Sequence, residues 1–306
     1  MREYSIENKL DRVLSGFNMD TEAWADYISP FCKKLELLRS TKRYGRLLRS
    51  LFSSKDIAEF NAYVFEVLFA YDFESKGQPL SYEVRQMVSG KSSIDFCCSF
   101  DSKRKVYFEL HLVKQRAWIT ASEEAELKAY NSFEIELGGN DEREEIIRLQ
   151  NILLNKCQDA TGMPIKFRDA SEGIYNLMVV NISEIQLTMF DEWDAGLAAY
   201  GDPCVPLFCR RGLFGLFQNL NANFNRDEEE LYEKFEHFRK TVCGILFVKF
   251  SKSNLGKIYI DRNLEYLLIL NNNLVVTGER EFIETSFASF LNRWAKRNSS
   301  KSVSET

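Results

Sequence analysis

The chain has no run of about 18 apolar residues, the length a membrane-crossing helix needs, so no transmembrane span is expected. Its opening, MREYSIENKLDRVL, lacks the uninterrupted apolar centre of a signal peptide. No Cys-x-x-Cys pair occurs. The seven cysteines are odd in number and sit mostly in apolar runs, as Cys97, Cys98 and Cys243 do. These absences predict reduced, buried thiols in a cytoplasmic protein with no membrane partner. In that compartment the Asn-x-Ser matches at Asn181 and Asn298 carry no meaning. There are only two histidines, no zinc-type Cys/His spacing and no Ser/His/Asp elbow, which excludes the commonest zinc and acyl-transfer sites. Gly138–Gly139 lacks the Lys and Ser/Thr of a phosphate loop and the third Gly of a dinucleotide site, and reads as a turn. There is no excess of positive charge. At a net charge of −5, binding to a polyanion must rest on a local basic groove. No internal repeat and no low-complexity block interrupts the chain.

What is present is a large apolar stock: 45% of 306 residues, with 24 Phe and 13 Tyr. A sizeable core is expected, with disorder confined to the polar tail SSKSVSET (299–306). Apolar spacing near 3.6 predicts helices through residues 5 to 72 until Gly77 and Pro79 break the pattern. The period then switches to two from 80 to 115, which predicts strands. Residues 141 to 159 return to helix, with Asp141 and Glu144 as a capping box. IYNLMVVNI (174–182) reads as a strand buried on both faces. Residues 183 to 226 read as irregular. DEEELYEKFEHFRK (227–240) is an amphipathic helix whose charge runs from acidic to basic, as the helix dipole prefers. Late strands follow at 243–250 and 257–270, then a helix at 281–297. The expected fold class is α/β: a helical segment over 1–58, a mixed central sheet flanked by helices over 59–297, and a flexible tail over 298–306. The basic run KRYGRLLRS (42–50) places Lys42, Arg43, Arg46 and Arg49 on adjacent helix turns, either to meet phosphates or as a solvated face. Arg210 and Arg211 invite the same two readings. His237 lies in an amphipathic helix without a partner pattern and reads as structural.

One stretch stands out. In SSIDFCCSFDSKRKVYFELHLVK (92–114), two apolar-alternating runs flank a charged turn, and each carries an acid mid-run. Ile94, Phe96, Cys98 and Phe100 share one face of the first strand, with Asp95 and Cys97 on the other. Val106, Phe108, Leu110 and Leu112 share one face of the second, with Tyr107, Glu109 and His111 on the other. A turn centred on Lys103 sets Asp95 opposite His111 and Cys97 opposite Glu109. Asp95, Glu109 and His111 then lie within roughly 8 Å as direct or diagonal neighbours. Close carboxylates repel in a dry site unless a hard divalent cation sits between them. The other reading is an exposed sheet face with ordinary polar residues.

An Asp strand, a turn and then a Glu strand, preceded by an apolar helix carrying an acid, resembles the core of the PD-(D/E)XK nuclease superfamily. FNAYVFEVLFAYDFESKG (60–77) offers Glu66. GKSSIDF (90–96) resembles the entry to the Asp strand, and VYFELH (106–111) the Glu strand. RLQNILLNKCQD (148–159) followed by YNLMVVNI (175–182) resembles the family's next helix and strand, with Lys156 and Gln158 directed to the site. The resemblance covers residues 60–182, with weaker likeness at CGILFVKF (243–250). It implies a restriction-endonuclease-like fold and a Mg²⁺- or Mn²⁺-dependent endonuclease, a hydrolase of DNA or RNA phosphodiester bonds. It also implies Asp95 and Glu109 as metal ligands, with Glu66, His111 and Lys156 completing the catalytic set. The chain departs from the motif where the lysine of Glu-x-Lys is His111. Lys114 points to the opposite strand face by alternation, which leaves Lys156 as the candidate for a relocated lysine. The departure keeps a second reading open, a nuclease-fold protein that has lost the chemistry and binds or scaffolds. A homodimer is compatible with either.

Overall fold

The computed structural model describes residues 5–19, 24–85, 92–116, 119–121, 125, 128–129, 139–157, 166–185, 190–206, 210–215, 226–251, 258–260, 262–275 and 277–288. Four helices open the chain: α1 (Ile6–Gly16), α2 (Ala25–Ser40), α3 (Gly45–Phe52) and α4 (Ile57–Glu74). Asp56 accepts the Glu59 N–H at 2.8 Å and starts α4, satisfying one of the donors that the first turn leaves free. Nine residues of α4 are buried, including Phe60, Phe65, Phe69 and Phe73, as expected for a helix that is apolar nearly all round. Three strands follow: β1 (Leu80–Val84), β2 (Ile94–Ser99) and β3 (Lys105–Leu112). Then come α5 (Gly139–Cys157), β4 (Ile174–Asn181), α6 (Glu192–Tyr200), α7 (Arg226–Thr241), β5 (Gly244–Phe250), β6 (Leu264–Leu270) and α8 (Thr277–Ala288).

The strands form one open mixed sheet in the order β1-β2-β3-β4-β5-β6. β3, β4 and β5 run parallel, and the pairs β1–β2, β2–β3 and β5–β6 are antiparallel. The two parallel crossovers carry α5 and α7, the helices such connections need. The α/β class and the mixed sheet expected from the sequence are therefore present. One apolar cluster joins α1–α4 to the side chains of Phe96, Phe108, Leu177 and Leu246. A second packs α5, α6 and α7 on the other face, against Tyr107, Met178, Val180 and Phe247. Phe69 seats α4 over the hairpin, 5.5 Å from the Phe96 ring and 5.3 Å from the Phe108 ring.

Several expectations need correction. The hairpin register is Phe96↔Phe108, Cys97↔Tyr107 and Ser99↔Lys105, so the turn centres on Ser102 and not on Lys103. Asp101 causes the shift: its Oδ1 accepts the N–H groups of Lys103 (2.8 Å) and Arg104 (2.7 Å) and draws the turn tight. Because the displacement is two residues, the faces survive. Counting on from Phe96↔Phe108, Asp95 is level with Glu109 and not with His111.

Ile94 also leaves its predicted face. Phe96 and its partner Tyr82 pack on the α4 side, whereas Ile94 and its partner Val84 pack on the α5 side. Residues two apart in a regular strand share a face. The pleat therefore inverts between them, at Glu83 and Asp95, and Glu83 carries a left-handed φ of 51°.

Elsewhere, the region 183–226, expected to be irregular, contains α6, whose N-terminus is a capping box of Asp191 and Asp194. α5 starts at Gly139, so Asp141 lies inside the helix and Gly139 belongs to it. β6 begins only at Leu264. The basic run does not form a continuous helical face: α3 begins at Gly45, and Tyr44 is fully buried. Arg43 pairs with Glu74 at 2.5 Å and Arg46 with Glu83 at 2.8 Å. The six described cysteines are all free, but Cys204 is exposed and Cys32 half-buried. Arg211 is tied to Gln150 and Asn151, and Arg210 to the carbonyls of Pro203 and Val205. Gln158 and the tail 298–306 fall outside the described residues. No described helix is long and apolar enough to cross a membrane.

Candidate functional site

The pleat inversion explains how acids from opposite sheet faces meet. Glu66 descends from α4 on one side, and Glu109 faces α5 on the other. Asp95 lies between them, where the β2–β3 ladder ends. Its Oδ2 accepts the Leu110 N–H at 2.7 Å, replacing the main-chain bond a continued ladder would make. Glu109 is 1% exposed. Its Oε1 receives Lys166 Nζ at 2.9 Å, with Lys156 Nζ farther away at 3.9 Å. Its Oε2 is buried with no hydrogen-bond partner. Glu66 accepts the Tyr82 hydroxyl at 2.9 Å.

The electrostatics follow from this crowding. Burial first, then the charge of Asp95, pushes the Glu66 carboxyl up to about 8. The same two causes push Glu109 up to about 7, opposed by Lys166. Burial raises Asp95 too, while the Leu110 N–H and the two lysines pull it back. The charge of Asp95 thus disfavours ionisation of both glutamates. His111 is drawn down to about 4 by burial first, then by the charges of Lys156, Arg148 and Lys114, so it is neutral at pH 7. The Cys157 thiol, buried beside Glu109, is raised and stays protonated.

The structure brings four of the five sequence candidates into one electrostatic cluster around Glu109: Glu66, Asp95, Glu109 and Lys156. His111 feels Lys156 but lies past the Asp95–Glu109 level. Three further residues reach the cluster that sequence reasoning missed: Lys166, Tyr82 and Glu83. Lys166 also donates to the Ser93 carbonyl at 2.9 Å, so one ammonium ties the residue just before β2 to Glu109. The only trace of it in the sequence is a lysine set between Ile165 and Phe167. Among the described residues, no three His, Cys, Asp or Glu side chains converge tightly enough to hold a metal ion. The pair Asp95 and Glu109 fits a hard cation in chemistry: both are carboxylates, Glu109 Oε2 is an unpaired buried acceptor, and Mg²⁺ is commonly held by one or two carboxylates. No family model, no characterised protein and no solved structure matches the chain.

Proposed function

We propose that the protein is a metal-dependent endonuclease of PD-(D/E)XK type with a restriction-endonuclease-like fold, hydrolysing phosphodiester bonds of DNA or RNA. The observation that carries this reading is Glu109, a carboxylate buried in a strand with one oxygen on Lys166, the other unpaired, and Asp95 beside it. A buried acceptor without a partner is costly, and a divalent cation is the ligand that would satisfy it. Asp95 and Glu109 would hold Mg²⁺ or Mn²⁺; such an ion, when bound, activates water and neutralises charge on a phosphodiester.

The chain's own groups supply the rest. Lys166 takes the part that the motif lysine plays in the family, since its ammonium reaches Glu109 from the loop before β4. Lys156, 35% exposed, presents a second ammonium toward the same carboxylate and is free to meet a phosphate oxygen. Neutral His111 offers a hydrogen-bond partner and no charge. Glu66 is fixed by Tyr82 on the α4 side and can accept a proton near neutral pH.

The second reading, a nuclease-fold protein that binds or scaffolds without cleaving, is favoured by the His in the motif position and by Lys166 already occupying half of Glu109. Cleavage assays with Mn²⁺ and with Mg²⁺, on single- and double-stranded DNA and RNA, decide between them. Cleavage by wild type that is lost in Glu109→Ala and Lys166→Met supports the nuclease. Absent cleavage together with no Mn²⁺ binding supports the scaffold.

A further inference from the structure

Asn176 stands in the apolar strand run IYNLMVVN of β4 and is fully buried. An amide in such a place is costly unless it is hydrogen-bonded. Its Nδ2 directs two hydrogens to segments far apart in the chain, the Arg168 carbonyl at 2.8 Å and the Thr241 carbonyl at 2.8 Å. Thr241 ends α7, so its carbonyl is one that the helix leaves without an internal partner. Arg168 lies in the connection before β4, where the Ala170 N–H also donates to the Lys240 carbonyl at 3.3 Å. The connection is thus fastened to the end of α7 at two points, one of them through Asn176. Two residues before the clamped Arg168 carbonyl is Lys166, whose ammonium bridges Glu109 and the Ser93 carbonyl, each at 2.9 Å. Asn176 and Met178 share a face of β4, and Met178 is level with Glu109 across the β3–β4 pair. A lysine loses much rotamer freedom when its ammonium is held, so its backbone must be fixed for the bridge to persist. The end of α7 does not need Asn176 for its own sake. Asn271, also fully buried, donates its Nδ2 to the Arg239 carbonyl at 2.8 Å and the Val242 carbonyl at 2.9 Å. Both of those carbonyls belong to the corner between α7 and β5, and neither to the connection that carries Lys166. The bond to Arg168 is what Asn176 adds.

We propose that Asn176 is a positioning residue of the site: its amide fixes the 166–170 connection against α7 so that the Lys166 ammonium reaches Glu109 and Ser93. Its part in cleavage rests on the nuclease reading; its hold on Lys166 does not.

The test is the rate at which a lysine-acetylating reagent modifies Lys166 in the full chain, read by peptide mass spectrometry beside the cleavage assay. Lys166, 18% exposed and held by two acceptors, should react slowly in the wild type. Asn176→Ala is expected to speed its modification severalfold. Asn176→Thr keeps one hydroxyl donor on a residue that strands favour, and carries the same test if the alanine variant does not fold. Asn271→Ala removes a matching pair of buried bonds from the same helix end. It is expected to lower the thermal midpoint as Asn176→Ala does, yet to leave Lys166 as slow as in the wild type. Lys166 still protected in the folded Asn176 variants overturns the proposal, and so does an equal gain in reactivity in Asn271→Ala, which would mean a general loosening. In the cleavage arm, Asn176→Ala is expected to cost up to about a hundredfold, the scale of a small misplacement in a site. That loss should vanish when Lys166→Met is already present, because the two act through one ammonium; a further, additive loss overturns the route through Lys166. A wild type that cleaves nothing sinks the nuclease reading, and the modification rates still decide the place of Asn176.

Discussion

Lys166 and Glu109 form the contact on which the site's geometry turns, one partner 18% exposed and the other 1%. Removing one member of a buried pair leaves the other uncompensated, at a cost on the order of 3 kcal/mol. Glu109 has an escape, since burial and Asp95 already hold its carboxyl up at about 7. Lys166→Met should therefore destabilise strongly at pH 8, where the carboxylate must be charged, and much less at pH 5.5, where it can protonate. Denaturant unfolding at the two pH values reads the difference; equal losses would mean that the ion pair is not what holds the side chain. Asp95 makes a finer case. Asp95→Asn keeps an acceptor for the Leu110 N–H and removes a charge from the cluster, so it should stabilise the metal-free protein. Asp95→Ala also removes the acceptor and leaves a main-chain donor without its partner, at a cost of about 1–3 kcal/mol. It should fall below Asp95→Asn in thermal midpoint. Asp95 and Glu109 are legible in the sequence because an acid inside an apolar strand run has no comfortable place. Lys166 is not. It stands in the connection between α5 and β4, next to the buried Phe167, and a lone lysine carries no periodicity to mark it.

At the scale of elements, strand and helix patterns carry most of the architecture, because each long element has an apolar face with a clear period. The misses have local causes. The hairpin register is displaced because Asp101 selects the turn, and turn chemistry is decided by a few side-chain to main-chain bonds. α6 escapes the periodicity because it is nine residues long and mixes Gly196 with alanines, although Asp191 and Asp194 form a readable cap. The inversion at Glu83 has no sequence signal, since glutamate rarely adopts a left-handed φ. The hairpin is braced at its other end by Gly173, with φ 75° and its carbonyl accepting the Lys105 N–H at 2.8 Å. A Cβ there would lie 2.4 Å from the Lys103 carbonyl oxygen. Gly173→Ala combines that clash with a left-handed backbone and should cost at least about 1–3 kcal/mol. If the hairpin is what aligns Asp95 with Glu109, the same variant should also lose Mn²⁺ affinity, although it touches no acid. A drop in thermal midpoint with unchanged Mn²⁺ affinity would show that the site does not depend on this brace.

At the scale of the molecule, the buried acids make stability a reporter of the charge in the site. Glu66 and Glu109 titrate near 8 and 7 in the folded chain against an ordinary 4.5. The folded state therefore keeps protons that the unfolded state has released, and stability from this source falls as pH rises from about 4.5 to about 8. His111 works in the opposite sense. Its imidazole titrates near 4 when folded against 6.5 ordinarily, so its contribution rises with pH between those values. Below pH 6.5 the two trends offset each other in part; between 6.5 and 8 the carboxyls act unopposed. The metal-free protein should accordingly show a thermal midpoint that declines from pH 6.5 to 8. On the proposed reading, a divalent cation would supply the positive charge that the departing protons take away, and would bind the folded state only. Excess Mg²⁺ or Mn²⁺ should then raise the midpoint most at pH 8 and flatten the decline. Glu66→Gln and Glu109→Gln should each flatten it without any metal, because an amide has no proton to lose. Calorimetric scans across the window, in chelator and in Mg²⁺, measure all of this in one series. A midpoint that rises with pH in chelator would mean that the acids are already ionised and satisfied by Lys156 and Lys166. The unpaired oxygen of Glu109 would then be no argument for a cation.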